Sequence, residues 1–331
     1  MKSIDFKKIF NSFNHFKVLI IGDVMIDSYM WGNVDRISPE APIPIIASTK
    51  KETRLGGAAN VALNIQSLGA TPILCSVIGN IDKSSIFFEL LKKQNISSEG
   101  ILVDNDRITT IKTRIISNNQ HLLRVDEEDD NYLSAKFEKQ LVKYVSQIMS
   151  ETKINAVIFQ DYDKGVITPF VIEKIINLSN KLSIPTLVDP KKRNFHHYKN
   201  ITLFKPNFKE FAEGLKIDLD TENFVALFEA AKKFQSTSNI KFVFITLSAR
   251  GIFISDKHSY KVIPAQRLDI ADISGAGDTV ISTVTLCLAA GLQPEEIAKI
   301  SNLAGGHVCE KVGVVPVNKE QLLKECISIF G

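Results

Sequence analysis

Asp272-Ile-Ser-Gly-Ala-Gly-Asp278 is the stretch that decides the fold, and an apolar run follows it directly over residues 279–291. Gly275, Ala276 and Gly277 carry little or no side chain, so the backbone N–H groups at the start of the predicted helix lie uncovered. The helix dipole adds about half a positive charge at the same place. The stretch therefore predicts an anion site in which main-chain donors hold a phosphate.

Asp278 is the acidic residue of this anion site. A carboxylate beside a phosphate has a chemical use when an attacking alcohol must lose its proton, because the carboxylate then acts as general base. Asp also caps helices, which stabilises them by about 1 kcal/mol, and the stretch alone leaves both interpretations open. The spacing matches neither the P-loop nor a complete G-x-G-x-x-G motif, since the residue three beyond Gly277 is Val280.

The composition is that of an ordinary globular protein. With 331 residues, 44% of them hydrophobic and 23% charged, the chain can form one large domain or a domain with a small appendage. The net charge of +3 is too small to indicate a nucleic-acid or membrane partner. The four cysteines show no C-x-x-C spacing, so we expect neither a zinc site nor a disulfide framework. With no signal-peptide pattern and no apolar run of membrane-spanning length, we expect a cytoplasmic protein.

Short apolar bursts alternate with helical patterns along the chain. Lys17-Val-Leu-Ile-Ile-Gly-Asp23 predicts a buried parallel strand, and the alternation is clearest from residue 132 to residue 247. This pattern predicts a mostly parallel sheet with helices on both faces, and ligands gather at the carboxyl ends of such strands. The polar residues that follow the predicted strands are Asp23, Asp27, Asp161, Lys164, Asp189, Lys191, Asn207, Glu210 and Thr246.

A second, smaller sheet is predicted beside the main one. Three prolines between Arg36 and Ile46 exclude a helix and suit an edge strand. Later segments alternate polar and β-branched residues at period two, which is typical of half-buried strands. We expect the segments of about 33–52 and 108–126 to form a lid over the main sheet.

Gly56-Gly57 lies between the predicted lid and a predicted helix over residues 58–68. A glycine pair allows close approach of the backbone to a ligand, and Asn60 would lie in the first turn of the helix beside it. The sequence therefore predicts a second glycine-rich binding element.

Three motifs carry a resemblance to a known family. They are Gly56-Gly-Ala-Ala-Asn60, Asn207-Phe-Lys-Glu210 and Asp272-Ile-Ser-Gly-Ala-Gly-Asp278, in this order. With them the chain resembles the ribokinase-type (PfkB) sugar kinases over essentially its whole length. The resemblance implies an α/β fold, a ribokinase-like three-layer αβα sandwich with a mostly parallel central sheet and a small β-sheet lid. It also implies one kinase domain over residues 1–331 and an ATP-dependent sugar kinase activity.

The resemblance implies a role for each motif. Asp278 is expected to be the catalytic base, with Gly275, Ala276 and Gly277 as the anion hole. Asn207 and Glu210 are expected to organise Mg²⁺ on the nucleotide phosphates, largely through water, although the same pair also fits an ordinary capping box. The other implied positions are Asp27, Gly56, Gly57 and Asn60 for the sugar hydroxyls, Thr246, Ser248, Gly306 and His307 for ATP, and Asp272 with Lys311-Val-Gly313 for a monovalent cation such as K⁺. For His307 a purely structural role is the alternative.

Among the members of the family, the chain resembles the D-glycero-β-D-manno-heptose 7-phosphate kinases, which also occur fused to an adenylyltransferase. The motifs behind this are Arg36-Ile-Ser-Pro-Glu-Ala-Pro-Ile-Pro, Asp161-Tyr-Asp-Lys-Gly165 and Val188-Asp-Pro-Lys191. We therefore expect phosphorylation of the anomeric hydroxyl to give the 1,7-bisphosphate, in ADP-heptose synthesis for lipopolysaccharide, without a fused transferase. Two residues depart from the family: Ile273 replaces the usual Thr, and Asp163 replaces a small residue.

The distal phosphate of such a substrate needs cations within reach. Arg114, Arg124, Lys164 and Lys191 are the candidates, since each lies at a predicted strand end or on the predicted lid, although basic side chains often only cover a solvated surface. Two other functions stay open: a kinase of another sugar or sugar phosphate (fructose 6-phosphate, fructose or ribose), and a catalytically inactive regulator that binds nucleotide or sugar. By resemblance we expect a homodimer formed through the lid, and neither a nucleic-acid nor a membrane partner.

Overall fold

The strands of the chain form two separate sheets, and helices cover both faces of the larger one. The computed structural model describes residues 5–79, 81–118, 120–265, 270–311 and 313–331. In chain order the strands are β1 (Lys17–Gly22), β2 (Val24–Ile37), β3 (Pro44–Gly57), β4 (Thr71–Gly79), β5 (Ile101–Asp104), β6 (Ile111–Ser117), β7 (Gln120–Glu127), β8 (Ala156–Gln160), β9 (Thr186–Asp189), β10 (Leu203–Phe204), β11 (Phe242–Thr246), β12 (Ile252–Ser255) and β13 (Tyr260–Ile263). The α-helices are α1 (Phe6–Ser12), α2 (Ala58–Ser67), α3 (Ile81–Lys93), α4 (Ala135–Glu151), α5 (Pro169–Lys181), α6 (Phe208–Leu215), α7 (Phe224–Ser238), α8 (Ala276–Ala289), α9 (Pro294–Cys309) and α10 (Lys319–Phe330).

The larger sheet, within the described residues, has nine strands in the order β13-β12-β11-β10-β9-β8-β1-β4-β5. Its pairings are parallel from β11 to β5, while β12 runs antiparallel to both β11 and β13. Helical crossovers are what parallel neighbours require, which is why the alternation of strand and helix predicts this sheet. The predicted mostly parallel α/β fold is confirmed, and the antiparallel edge is a feature that the alternation did not indicate.

The three layers follow from the direction of successive side chains along each strand. In β1, Val18 and Ile20 belong to one apolar cluster, whereas Leu19 and Ile21 belong to the other. The first cluster includes residues of α1, α2, α3, α8, α9 and α10, and the second includes residues of α4, α5, α6 and α7. Because a central strand is covered on both faces, it needs an apolar residue at every position. The αβα sandwich is therefore confirmed.

The carboxyl ends of five neighbouring strands bring polar residues to one edge of the larger sheet. Along β11-β10-β9-β8-β1, the residues that end or follow the strands are Thr246, Lys205, Asp189, Gln160 and Asp23. All except Thr246 are buried. Buried polar groups are stable only when they are paired, so this row of side chains marks the edge as the place to look for a site.

The smaller sheet has the strand order β3-β2-β6-β7, with β2 and β6 parallel and the other pairs antiparallel. It lies where the sequence predicts a separate small sheet. The strand β3 begins at Pro44 and lies at the edge of this sheet, which is where a proline is tolerated. The strands are longer than the predicted segments, since β2 begins at Val24 and β3 ends at Gly57. Only Asp23 separates β1 from β2, so the chain passes directly from one sheet into the other. The function of the small sheet as a lid stays a prediction.

Gly56 and Gly57 join β3 to α2 in a place with no room for side chains. A Cβ on Gly56 would collide with the Asp27 carboxylate, and one on Gly57 would collide with the Asp23 carbonyl oxygen. Gly57 also has a φ of 60°, in the left-handed region that favours glycine. This pair therefore brings the amino-terminus of α2 against the end of β1.

Candidate active site

Gly275 and Gly277 leave the amino-terminus of α8 open. Gly275 has a φ of 81°, and a Cβ there would lie 3.0 Å from Asn60 Nδ2. Gly277 is exposed, and the atoms nearest to a Cβ built on it are Lys205 Nζ at 3.7 Å and Asp189 Oδ2 at 3.8 Å. The Ala276 N–H donates to the Ile273 carbonyl oxygen over a long 3.3 Å, so a stronger acceptor could replace that carbonyl. This helix start has the form that an anion hole needs, and its role as one stays a prediction.

Asp278 lies in the first turn of α8, is buried, and accepts three side-chain hydrogen bonds. Its Oδ2 accepts from Asn60 Nδ2 at 2.7 Å. Its Oδ1 accepts from Tyr162 Oη at 2.7 Å and from Gln160 Nε2 at 3.1 Å. These partners lie on other elements and Gly275 occupies the N-cap position, so the carboxylate does not have the helix-capping role that the sequence left open.

Burial raises the pKa of Asp278 to about 6. The hydrogen bonds from Asn60 and Tyr162 lower this pKa, the negative charge of Asp189 raises it, and the positive charge of Lys205 lowers it. A carboxylate whose pKa lies just below neutrality is ionised at pH 7 and still accepts a proton readily. Asp278 therefore has the electrostatics of a general base.

A buried ion pair accompanies the proposed base. Lys205 Nζ lies 2.9 Å from Asp189 Oδ2, and Gln160 Nε2 donates to the same Oδ2 at 3.2 Å while it also holds Asp278. Asp189 was predicted only as a polar strand end, and Lys205, Gln160 and Tyr162 were not predicted as site residues. The strand-end positions of Gln160 and Lys205 were the available signal, whereas the contact between Tyr162 and Asp278 depends on a loop conformation.

One face of the smaller sheet is densely charged, and we call it the inner face. Residues that pair directly across strands lie on the same face, and the register pairs Asp27 with Arg54 and Lys112, Tyr29 with Arg114, Lys112 with Asp126, and Arg114 with Arg124. The register also pairs Tyr29 with Glu52, so the inner face includes Asp27, Tyr29, Glu52, Arg54, Lys112, Arg114, Arg124 and Asp126.

Asp27 and Arg114 form an ion pair on the inner face. The predicted sugar ligand Asp27 is thus buried beside a cation and next to Gly56. Arg124, in contrast, is largely exposed and pairs with Asp126 at 2.9 Å. The structure brings Asp27, Arg114 and Arg124 together on one sheet, while their contact with a sugar phosphate stays a prediction.

A cavity of about 770 Å³ lies between the inner face and residues 270–274. Arg114, Arg124 and His121 line it from the small sheet, and Asp272 and Ile273 line it from the glycine-rich loop. Of the four predicted phosphate ligands, Arg114 and Arg124 are among its lining residues. His121 was not identified in the sequence analysis, because a lone histidine on an exposed strand carries no motif.

Lys164 and Lys191 are both held by glutamates. Lys164 Nζ lies 2.8 Å from Glu128, and Lys191 pairs with Glu210. Lys191 also lies over the ring of Tyr162, 5.7 Å from its centroid. Desolvation lowers the pKa of Lys191, but Asp189 and Glu210 outweigh it, and the net shift is upward. Lys191 therefore lies between Tyr162 and Glu210, one of the two predicted magnesium ligands.

Asn207 and Glu210 form the capping box that the sequence offered as the alternative to a metal role. Asn207 Oδ1 accepts from Glu210 N at 2.8 Å, and Glu210 Oε2 accepts from Asn207 N at 2.9 Å. Glu210 Oε1 contacts Lys191. A capping role does not exclude a second role, since each carboxylate oxygen can accept more than one bond. The magnesium role stays a prediction.

A cavity of about 550 Å³ lies next to the capping box. Its lining includes Asn207, Thr246, Ser248 and Arg250, so three of the predicted nucleotide positions meet there. Arg250 Nη2 is paired with Glu222 at 2.9 Å. That this groove at the end of β11 accepts the nucleoside part of ATP stays a prediction.

Gly306 and His307 lie on α9, and His307 is buried. His307 Nε2 contacts Glu325 Oε2 at 2.6 Å and thereby ties α9 to α10. The contact fits the structural alternative for His307, and the nucleotide role of both residues stays a prediction.

Asp272 connects two loops near the start of α8. Its Oδ1 accepts from Ser274 N and its Oδ2 from Gly313 N, both at 2.9 Å. Desolvation raises the pKa of Asp272, but these backbone donors outweigh it, and the net shift is downward. The predicted cation loop Lys311-Val-Gly313 includes Val312, which lies outside the described residues.

Asp23 organises the loop of residues 161–166. Its carboxylate accepts the backbone N–H of Tyr162 at 2.8 Å, of Val166 at 2.9 Å and of Lys164 at 3.2 Å. In the same loop, Asp163 has a φ of 56°, in the left-handed region that large side chains rarely adopt. This conformation fits the small residue that is usual at this position. Asp23, predicted only as a polar residue at a strand end, thus anchors this loop.

Over the described ranges, no helix is both long and apolar enough to cross a membrane. In the same part of the chain, no group of three or more Asp, Glu, His or Cys side chains is arranged to hold a metal ion.

A buried carboxylate at an open helix start, above the carboxyl ends of a parallel sheet, is typical of enzymes that transfer a phosphoryl group to a sugar hydroxyl. The chain belongs to the pfkB family of carbohydrate kinases, whose family model matches residues 15–321. This confirms the predicted family and the predicted enzyme class, an ATP-dependent sugar kinase.

Curated relatives extend the match. The chain is 37% identical over 306 residues to the bifunctional protein HldE of Helicobacter pylori (strain J99 / ATCC 700824), covering 92% of this chain and 65% of that protein. It is 39% identical over 307 residues to HldE of Campylobacter jejuni subsp. doylei, covering 92% of this chain and 64% of the relative. The chain thus spans slightly less than two thirds of the length of these relatives.

Solved structures share the fold. Phosphofructokinase-2 from Escherichia coli in complex with potassium matches with a TM-score of 0.76 at 19% identity, covering 93% of this chain and 97% of that chain. Ribokinase from Arabidopsis thaliana, complexed with ribose and ATP, matches with a TM-score of 0.71 at 16% identity, covering 93% and 98%. At these identities the likeness concerns the fold alone.

Proposed function

We propose that the protein transfers the γ-phosphoryl group of ATP to the anomeric hydroxyl of D-glycero-β-D-manno-heptose 7-phosphate, giving the 1,7-bisphosphate for ADP-heptose synthesis in the cytoplasm. The relatives named HldE, at 37% and 39% identity, support this substrate. The structural observation that carries the proposal is Asp278, a buried carboxylate with a pKa raised to about 6 at the open amino-terminus of α8.

Asp278 would act as the base in this reaction. The anomeric oxygen forms a bond to the γ-phosphorus as its proton passes to Asp278, and the bond between the γ-phosphorus and the β,γ-bridging oxygen breaks. ADP leaves with that electron pair. The N–H groups of Gly275, Ala276 and Gly277 would stabilise the charge that gathers on the transferring group.

ATP would lie across the groove at Thr246 and Ser248 with its phosphates directed toward α8. Mg²⁺ usually keeps several waters and is bound by one or two carboxylates together with substrate phosphates. Glu210 fits such a site, because its carboxylate lies beside Lys191 at the edge of the groove with Asn207. The metal would neutralise phosphate charge while Lys191 and Lys205 supply further positive charge from the protein.

The 7-phosphate would occupy the cavity at the inner face. Arg114 and Arg124 both line it, and an arginine offers a bidentate fork for phosphate oxygens. Lys164 and Lys191 pair with glutamates and do not line this cavity, so we rank them after the two arginines. Asp27 and Asn60 would hold sugar hydroxyls between the phosphate and Asp278.

Two further features complete the proposal. The face of the small sheet opposite the inner face exposes Val125, which is 45% exposed, and a second copy of the chain would cover it in a homodimer. A monovalent cation would bind near Asp272, since backbone from two loops meets its carboxylate. The phosphofructokinase-2 structure with potassium supports this cation.

Another sugar is the second candidate function, because relatives of this fold include phosphofructokinase-2 and ribokinase. The cluster of cations at the inner face favours a phosphorylated substrate over ribose or fructose. A regulator without catalysis is the third candidate, and the presence of the proposed base Asp278 and of all the proposed anion-hole residues argues against it.

ADP release separates these candidates. Wild type and Asp278→Asn are assayed with ATP and Mg²⁺ against heptose 7-phosphate, fructose 6-phosphate, ribose and fructose. We expect turnover with heptose 7-phosphate and a loss of about 10²- to 10⁴-fold in kcat in the variant, the usual contribution of a positioned base. Preference for another sugar would replace the substrate, and ATP binding without turnover on any sugar would favour the regulator.

A further inference from the structure

Asp278 receives its hydrogen bonds unevenly. Tyr162 Oη and Gln160 Nε2 both donate to Oδ1, whereas Oδ2 accepts only from Asn60 among the described residues. An ionised carboxylate offers about two acceptor sites on each oxygen. Both sites of Oδ1 are thus filled, and Oδ2 keeps one site for a further donor.

Tyr162 is held in place from both ends. The Asp23 carboxylate accepts its backbone N–H at 2.8 Å, and the Lys191 ammonium lies 5.7 Å from the centre of its ring. The loop that carries Tyr162 is bonded to Asp23 at two further N–H groups, those of Lys164 and Val166. The hydroxyl is therefore a fixed donor to the Asp278 carboxylate.

We infer that Tyr162 is a positioning residue for Asp278: together with Gln160 it occupies Oδ1, so that the proton of the sugar hydroxyl is received by Oδ2. This inference rests on the proposed kinase reaction and deepens it. The O–H bond of the anomeric hydroxyl breaks, its proton binds Oδ2, and the freed electron pair forms the bond to the γ-phosphorus. Tyr162 keeps its own proton throughout, because its hydroxyl only donates a hydrogen bond.

Electrostatics agree with this geometry. Burial and the charge of Asp189 disfavour the ionised form of Asp278, and the hydrogen bonds from Asn60 and Tyr162 counteract them. A phenylalanine at position 162 would keep the ring against Lys191 and remove only the hydroxyl. The carboxylate would then hold its proton more tightly and would rotate more freely.

The first test is the pH profile of Tyr162→Phe. Loss of one hydrogen bond to a charged group moves a pKa by about one unit, so the acid limb of kcat/KM should shift upward by about one pH unit. The KM for ATP should stay within about twofold, since binding is not what the hydroxyl supports. Tyr132→Phe is the control, because its hydroxyl donates to the Asn194 amide at 2.9 Å and not to Asp278. An unshifted acid limb with normal kcat would overturn the inference and leave the kinase proposal intact.

The second test needs no enzymatic activity. Asp278 is ionised above its raised pKa, so the hydroxyl of Tyr162 stabilises the folded protein more at pH 8 than at pH 5. The loss of Tm in Tyr162→Phe should be about 2 °C larger at pH 8 than at pH 5, and this difference should vanish in the Asp278→Asn background. A pH-independent loss in Tyr162→Phe would contradict the inference even if no sugar is turned over.

Discussion

Lys205 Nζ lies 2.9 Å from Asp189 Oδ2 in an ion pair whose side chains are 3% and 9% exposed. The Gln160 side chain donates a hydrogen bond to Asp189 and another to Asp278, and it thereby links the ion pair to the proposed base. Asp189 raises the pKa of Asp278 and Lys205 lowers it, so the two charges of the ion pair act on the proposed base in opposite directions. A change in this ion pair should therefore be felt at Asp278 through Gln160.

Lys205→Met should destabilise the protein strongly. Removal of one partner leaves Asp189 charged and buried, which costs about 3–5 kcal/mol in the free energy of unfolding. The double variant Lys205→Met/Asp189→Leu should regain most of this loss, because no charge remains buried. Urea denaturation at pH 7 measures both. Lys299→Met, in the exposed pair with Glu295, is the control and should cost less than about 1 kcal/mol. Equal losses of unfolding free energy in Lys205→Met and in the control would show that the buried ion pair matters no more for stability than an exposed one.

Arg124→Gln should weaken binding of the phosphorylated sugar. Arg124 lines the cavity at the inner face and pairs with Asp126, which also pairs with Lys112 at 3.0 Å, so removal of Arg124 leaves no buried charge unpaired. We expect the KM for heptose 7-phosphate to rise about tenfold, from loss of one charge-assisted contact, and the KM for ATP to stay within twofold. Steady-state kinetics with the dephosphorylated heptose should show no such difference between variant and wild type. Lys51→Gln, an exposed lysine on β3, serves as the matched control.

Arg114→Gln should have a different effect, because Arg114 also holds Asp27. Its loss should raise the KM for heptose 7-phosphate and for the dephosphorylated sugar alike, since Asp27 then loses its orientation. If neither arginine variant changes sugar binding, the 7-phosphate does not lie at the inner face, and Lys164 and Lys191 become the candidates.

The stability of the protein should fall between pH 4 and pH 7. Burial, with the nearby charge of Asp23, raises the pKa of Asp161 to about 7 from its ordinary 3.8. Between these two values the folded state binds more protons than the unfolded state, so the free energy of unfolding decreases as pH rises and levels off above about 7. Urea denaturation should show that the free energy of unfolding is lower at pH 8 than at pH 5 by on the order of 2–4 kcal/mol. This decrease should be smaller in Asp161→Asn.

A matched control for this pH dependence is Asp256→Asn. Desolvation at Asp256 is outweighed by backbone donors, and its pKa is lowered, so its stabilising effect is lost only at acidic pH. The variant should therefore keep the wild-type decrease between pH 5 and pH 8. Identical slopes in wild type and Asp161→Asn would show that Asp161 does not carry the effect.

The sheet and its layers could be predicted from the sequence because they follow from local patterns. The apolar run in β1 and the alternation of strands with helices are visible without tertiary information. The start of β2 at Val24 was not predicted, because Gly22-Asp23 is the pattern of a strand end. A connection of one residue between two sheets also contains no turn motif that the sequence could show. The site shows the same division between local and long-range information.

Asp278 and the glycines were found from one contiguous motif, whereas the hydrogen-bond partners of Asp278 come from two distant parts of the chain, Asn60 from one and Gln160 and Tyr162 from the other. Asn60 was identified through its own motif, but nothing in the sequence indicates that Tyr162 and Gln160 bond to the same carboxylate oxygen. The pairing of Lys205 with Asp189 likewise depends on β10 lying beside β9. Strand order, and not residue type, brings these side chains together.

Gly277→Ala should separate the function of the glycine-rich loop from its fold. A Cβ at this position meets its nearest atoms at 3.7 and 3.8 Å, which are ordinary contact distances. Alanine is also the better helix former by about 1 kcal/mol, so the variant should be as stable as wild type or more stable. The added methyl group nevertheless covers N–H groups at the open start of α8. If these bind the transferring phosphoryl group, kcat should fall about 10- to 100-fold, a partial loss of an oxyanion-hole donor.

Gly275→Ala is the informative counterpart, because both its fold and its function should suffer. Its φ of 81° costs a non-glycine residue about 1–2 kcal/mol, and its Cβ would lie 3.0 Å from Asn60 Nδ2. Thermal unfolding and kcat, measured on both variants, distinguish two uses of glycine. Reduced activity in Gly275→Ala alone would mean that glycine serves only the turn and the placement of Asn60. Reduced activity in a stable Gly277→Ala requires that the backbone at the helix start binds the phosphate itself.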